Sequence, residues 1–157
     1  MFVYGKTSAN AIAAMSYLAA DPKRRAGSAE IAKDRGISQA LTAKLLTQLA
    51  SAGLVTGQPG LGGGYKLAKP AESICLMDIA ELFEQTAPLT LCPFGHNWCG
   101  VGSPCPLHNE IAQVIESNRR FMEETSLSVF VGKSKEPLNL FKKIETSSLA
   151  RSIPSNA

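Results

Sequence analysis

The residues best suited to chemistry form one run, Cys92-Pro-Phe-Gly-His-Asn-Trp-Cys99-Gly-Val-Gly-Ser-Pro-Cys105-Pro-Leu-His108. It holds three of the chain's four cysteines and both of its histidines. Thiolate and imidazole are the ligands of zinc and of iron–sulfur clusters. The Gly and Pro residues between them make a loop that lets several donors converge on one centre. The run therefore predicts a metal cofactor. A closed Cys3His zinc site is one form. Compact zinc sites, however, favour cysteine pairs separated by about two to four residues, and the gaps here are wider except in Cys105-x-x-His108. That spacing leans toward iron–sulfur. The fourth cysteine, Cys75, lies beside Leu76 on an apolar helix and reads as a small buried hydrophobe. Trp98 can shield a centre or simply pack.

Such a loop needs a scaffold, and 157 residues with 45% hydrophobic content allow one domain plus an appended segment. No stretch is apolar enough for a membrane span, and the N-terminus lacks the basic-then-apolar order of a secretory signal. The expectation is a cytoplasmic protein, where clustered cysteines bind metal or sense redox state rather than form structural disulfides. Charge divides the chain. Residues 1–70 carry nine Lys/Arg against three Asp/Glu, a balance of +6, and residues 71–157 carry seven against ten, a balance of −3. A basic N-terminal half suggests a polyanion partner for that half alone.

The elements fit such a partner. Residues 9–20 carry Ile12, Met15, Leu18 and Ala19 on one helical face, and Asp21-Pro22 ends the helix. Ser28 is expected to cap a short second helix over 29–34. Gly36 supplies a turn, and Ser38 caps a third helix to about Ser51 with Leu41, Leu45, Leu46 and Leu49 inward. Two helices joined by a Gly-containing turn are a helix-turn-helix. Strand candidates 54–56 and 65–68 flank a Gly- and Pro-rich loop over 57–64, longer than a tight turn, and read as a β-hairpin. The fold class is mainly α with a small β-hairpin, a winged helix-turn-helix followed by a long C-terminal dimerisation helix.

In that arrangement the third helix enters the major groove and the hairpin lies against the backbone or minor groove. Ser38, Gln39, Ala40, Thr42 and Ala43 fall away from the leucine stripe. Gln39 can pair with adenine, Ser38 or Thr42 can reach phosphates or base edges, and Lys44 supplies backbone charge. On the wing, Gln58, Tyr65 and Lys66 are the candidate contacts. The alternative is a solvated polar face. Beyond the wing, residues 71–86 form a connecting helix that begins over 76–83, and residues 87–106 form the cysteine loop. Residues 107–131 form a long helix striped by Leu107, Ile111, Val114, Ile115, Asn118, Phe121, Met122 and Thr125. The stripe predicts a homodimer reading paired half-sites of a palindromic operator in double-stranded DNA; packing on the chain's own core is the alternative. Residues 132–157 read as a flexible tail.

The segment Ile37-Ser38…Leu45…Leu49…Gly53-Leu54-Val55, the wing Gly60-Leu61-Gly62-Gly63-Gly64-Tyr65-Lys66-Leu67-Ala68 and the later cysteine triad resemble the winged-helix iron–sulfur transcriptional regulators of the IscR, NsrR and RirA type. The resemblance spans roughly residues 1–130. It implies a dimeric, cytosolic DNA-binding regulator, acting as a repressor, that senses redox state, nitric oxide or iron–sulfur status. Cys92, Cys99 and Cys105 would then be cluster ligands, although the first gap is one residue longer than is usual in that group. His108 matches the histidine that some members use as fourth ligand; others use an acid on the first helix, where this chain reads Ser8-Ala9-Asn10. The resemblance thus favours Cys3His ligation and a 2Fe–2S over a 4Fe–4S cluster, with His96 as a rival ligand. Several relatives carry an Arg before the wing tip, where this chain has Gln58-Pro59. No nucleophile triad, carboxylate pair or phosphate-binding P-loop is present, so an enzyme is not expected. Two rival functions remain: a thiol-based redox sensor without a cluster, and an electron-transfer iron–sulfur protein.

Overall fold

Leu45, Leu46 and Leu49 are almost wholly buried, and the helix that carries them packs its inner face into a small bundle. In the computed structural model, which describes residues 5–84 and 104–133, the elements run α1 (Lys6–Ala20), α2 (Ser28–Arg35), α3 (Gln39–Ser51), β1 (Val55–Gln58), β2 (Gly64–Leu67), α4 (Leu76–Ala80) and α5 (His108–Glu124). Single 3-10 turns lie at Ala71–Ser73 and Leu127–Phe130. Of the predicted flexible tail over 132–157, Gly132 and Lys133 are described, and the Gly132 N–H donates to the Ala20 carbonyl at 3.1 Å; residues 134–157 lie outside the described residues.

Helix α1 is the central support. Ala11, Ala14, Met15, Leu18 and Ala19 are buried, and the small alanines let other elements approach its axis closely. It packs against α2, α3, α4, β2 and the turn at 127–130. The helix ends at Ala20, as Asp21-Pro22 predicted. Helix α2 starts one residue earlier than expected, at Ser28, with Gly27 in the capping position and no side-chain cap; Ser28 is therefore the first helical residue rather than the cap. Gly36 closes α2 in the left-handed region (φ 65°), and its N–H donates to the Ala32 carbonyl. Ser38 caps α3 as expected, its Oγ accepting from the Leu41 N–H at 3.3 Å.

The hairpin is antiparallel, pairing Val55 with Leu67, Thr56 with Lys66, Gly57 with Tyr65 and Gln58 with Gly64. The strands run further toward the tip than predicted, so the connecting loop shrinks to residues 59–63. Ala26 adds to the outer edge of β2: its N–H donates to the Tyr65 carbonyl at 2.9 Å and its carbonyl accepts from the Tyr65 N–H at 2.8 Å. Gly64 sits at φ 127°, and a Cβ there would stand 2.8 Å from the Ala26 carbonyl. Only glycine allows this approach of wing to loop.

The predicted connecting helix is shorter than residues 76–83. Helix α4 stops at Ala80, and turns carry the chain to Glu84. The chain before α4 pairs with the chain after α5, through Leu76 N–H to the Thr125 carbonyl (3.0 Å) and Leu127 N–H to the Ile74 carbonyl (2.9 Å). Buried Ile74, Leu76, Ile79, Met122 and Leu127 join the same core as α1 and α3. Helix α5 is thus anchored to the reading unit at its C-terminal end.

Candidate nucleic-acid interface and metal-binding segment

The outer face of α3 is polar and open: Ser38, Gln39, Ala40 and Lys44 are exposed, and Ala43 is half-buried. Thr42 corrects the sequence reading. It is fully buried, and its hydroxyl donates to the Ser38 carbonyl at 3.0 Å. Positions 42, 45, 46 and 49 share one helical face, so Thr42 belongs to the inner stripe and its polar atom is satisfied within its own helix. It is withdrawn from the DNA-facing set.

On the wing, Gln58 is exposed, whereas Tyr65 and Lys66 are half-buried. The Tyr65 ring packs across β1 against Gly57 and against the core. Arg25, which charge counting alone did not single out, ties the two strands of the wing: its guanidinium donates to the Gly64 carbonyl at 3.1 Å and more weakly to the Thr56 carbonyl at 3.4 Å. The loop ahead of α2 is fixed further by Arg24, which pairs with Glu30 at 2.6 Å, while the Tyr17 hydroxyl donates to the same carboxylate. Arg35 lies over the Tyr17 ring, 5.6 Å from its centroid. The helix-turn-helix and its wing are therefore one cross-braced unit.

Of the predicted metal ligands, Cys105 and His108 are placed together. Both are half-buried, and the His108 N–H donates to the Cys105 carbonyl at 3.0 Å, so the pair occupies the turn that opens α5. Cys92 and Cys99, with His96 and Trp98, lie outside the described residues. Among the described residues no group of three or more His, Cys, Asp or Glu comes together. The donor set of three thiols and an imidazole fits an iron–sulfur cluster in its chemistry, and the two donors that are described share one turn.

Cys75 is not on an apolar helix, as the sequence suggested, but at the N-cap of α4. There its N–H donates to the Asp78 carboxylate at 2.8 Å, and the residue is half-buried. Burial pushes its thiol up from the ordinary value, keeping it protonated at neutral pH. It lies beside Ser126, past the C-terminal end of α5. His108 opens that 17-residue helix, about 25 Å away at 1.5 Å per residue. Cys75 is thus far from the Cys105–His108 turn.

The described chain before the cysteine loop ends at Glu84. Helix α1 has no cap of its own and no acid in its first turn, and Lys6 opposes the dipole there. The carboxylate comes from 79 residues away: the Gly5 N–H and the buried Ser8 hydroxyl both donate to Glu84 Oε1. Glu84→Gln is expected to lower folding stability by about 1 kcal/mol, the usual worth of a helix cap. Denaturant titration checks this, with exposed Glu81→Gln as a near-neutral control.

Helix α5 divides its apolar stripe between two surfaces. Met122 is buried in the core, and Ile111, Ile115, Asn118 and Thr125 are half-buried. Val114 and Phe121 are more than half exposed, lining an open groove with Gln113, Ser117 and Asn118. The neighbouring face is held by Arg119, which bridges Glu116 and Glu123 at 2.7 Å. Hydrogen bonding to Arg119 pulls the Glu116 carboxyl below its ordinary value. None of the described helices is long and apolar enough to cross a membrane.

A helix-turn-helix braced to a two-stranded wing, followed by a long helix, defines the class: a winged-helix DNA-binding protein. Residues 4–133 match the family model for Rrf2, described as an iron-dependent transcriptional regulator, and the chain belongs to that family. It is a transcriptional regulator, not an enzyme. Its fold is similar to that of CymR (YrzC), the global cysteine regulator of B. subtilis, at 20% identity and a TM-score of 0.67, covering 83% of this chain and 97% of that one. T. potens IscR is similar at 21% identity and a TM-score of 0.60, with 94% and 92% covered. CymR of Staphylococcus aureus is similar at 22% identity and a TM-score of 0.63, with 83% and 98% covered.

Proposed function

We propose that this chain is a dimeric, cluster-dependent repressor of transcription that reads a palindromic operator. The observation that carries the reading is the placement of Cys105 and His108 in one turn at the start of α5, the helix whose other end is locked into the DNA-reading unit. Cys92, Cys99, Cys105 and His108 would hold an iron–sulfur cluster, with 2Fe–2S favoured over 4Fe–4S because Ser8, not an acid, stands on the first helix. When bound, the cluster supplies a tie between loop and helix that depends on iron and on redox state.

The chain's own residues do the rest. His108 and Cys105 fix the N-terminal turn of α5, and Val114 and Phe121 meet their counterparts on a second copy, burying a stripe otherwise left in water. Met122 and the pairing of 74–76 with 125–127 carry the position of α5 to α4 and α1. Helix α1 supports α3, so the spacing of two α3 helices across the dimer follows the state of the loop. A coupling of about 1–3 kcal/mol between loop and reading heads changes operator affinity roughly 5- to 150-fold.

On α3, Gln39 is placed to read a base edge, with Ser38 and Lys44 toward phosphates. Gln39→Ala is expected to cost operator binding about 1–3 kcal/mol, as for a bidentate base contact, with folding stability unchanged because the side chain is exposed. Gel-shift titration against the chain's own upstream region checks this, and an unchanged affinity returns Gln39 to a solvated face.

Anaerobic purification tests the reading as a whole. The expected product absorbs in the visible, contains iron and acid-labile sulfide, and gives a dimer with one cluster per protomer in native mass spectrometry. A colourless protein with free thiols after iron and sulfide reconstitution contradicts it and leaves a thiol-based sensor.

A further inference from the structure

The tip of the wing carries a single large apolar side chain, Leu61, whose relative exposure of 109% exceeds that of an extended reference chain. Lone exposed leucines are common, but this one is held out by a built turn. Gly60 and Gly62 on either side adopt positive φ (92° and 73°), and the Gly63 N–H donates to the Gly60 carbonyl at 3.0 Å. Gly63 is pressed so closely on the Gln58 carbonyl that a Cβ would stand 2.2 Å from it. Arg25 holds the carbonyl of Gly64, the residue that follows this turn. The turn presents Leu61 as a fixed projection on a blade whose neighbouring tip residues have no side chains.

We infer that Leu61 is an apolar wedge that enters the DNA minor groove and contacts or partly unstacks a base step; the inference rests on the DNA-reading role given above. The minor groove is about 6 Å wide, and proteins that bend DNA place Leu, Ile, Met, Phe or Pro there. Glycines at 60, 62 and 63 leave nothing to strike the sugar walls, so the one side chain can penetrate. A protein partner would instead want a contiguous apolar patch, and the exposed residues around Leu61 are Gln58, Pro59 and glycines. The wedge also answers the wing's lack of an Arg before its tip: sequence is sensed by deformability rather than by charge in a narrow groove.

The test uses full-length protein and a duplex from its own upstream region that the wild type protects, carrying 2-aminopurine at successive steps of the protected minor groove. Wild type is expected to raise the fluorescence at one step per half-site. Leu61→Ala is expected to lose that rise and to bind the duplex about tenfold more weakly, the worth of burying most of a leucine side chain. Its affinity for random-sequence DNA and its salt dependence should stay unchanged, since no charge is removed, while Leu61→Met should keep both signals. Leu61→Ala with wild-type operator affinity, or with an equal loss on random DNA, overturns the wedge and leaves the regulator standing. A wild type that binds no upstream duplex overturns the operator reading and the wedge together.

Discussion

Replacing Cys105 with alanine is expected to abolish the visible absorption of anaerobically purified protein while leaving its helical circular dichroism intact. The two effects are expected to separate because alanine keeps the Cys105 backbone carbonyl that accepts from His108 and removes the sulfur that would bind the cluster. Even outer-shell partners of a metal ligand change metal affinity by about 10- to 100-fold, and a direct ligand is expected to matter more. Cys75→Ala is the matched control, since that thiol lies past the far end of α5 and is held up in pKa by burial. Iron and sulfide analysis of both variants checks the assignment. Undiminished absorption in the Cys105 variant removes that residue from the ligand set.

Leu46→Ala is expected to lower folding stability by about 2–5 kcal/mol, the range for deleting a fully buried leucine side chain without collapse of the site. Leu46 is wholly buried on the inner stripe of α3 and joins a core that includes α1, α4 and α5 residues. Domains are stable by only about 5–15 kcal/mol, so the variant stands near unfolding at growth temperature. Chemical denaturation monitored by circular dichroism measures the loss. A change under 1 kcal/mol would mean that α3 is not clamped as described. The contrast with Gln39→Ala, about two turns away and exposed at the first position of the helix, separates the stability of the reading helix from its recognition.

The helix-turn-helix was legible because its signals are local. Ser38 caps α3, Gly36 turns at the end of α2, and the leucines of α3 keep helical period. Thr42 was misread because residue type was allowed to outweigh position: it falls three and four residues before Leu45 and Leu46, and its hydroxyl finds an acceptor one turn back. The end of α4 and the cap of α1 were not legible at all. The cap comes from Glu84, 79 residues from Gly5 and 76 from Ser8, a pairing with no local pattern. The single stripe expected on α5 divides in two, because helical period alone does not say which neighbour covers which part. Of the metal set, the Cys105-x-x-His108 spacing is local and appears as the turn that leads into α5. Cys92 and Cys99 fall outside the described residues.

Operator affinity of cluster-loaded and cluster-free protein, measured anaerobically at one salt concentration, tests the central claim most directly. Coupling through α5 and α1 predicts dissociation constants that differ by roughly 5- to 150-fold, with the ratio collapsing toward one in Cys105→Ala. Equal affinities, with the cluster shown to be retained in the loaded sample throughout, would contradict a sensing link between the cysteine loop and the DNA-reading heads.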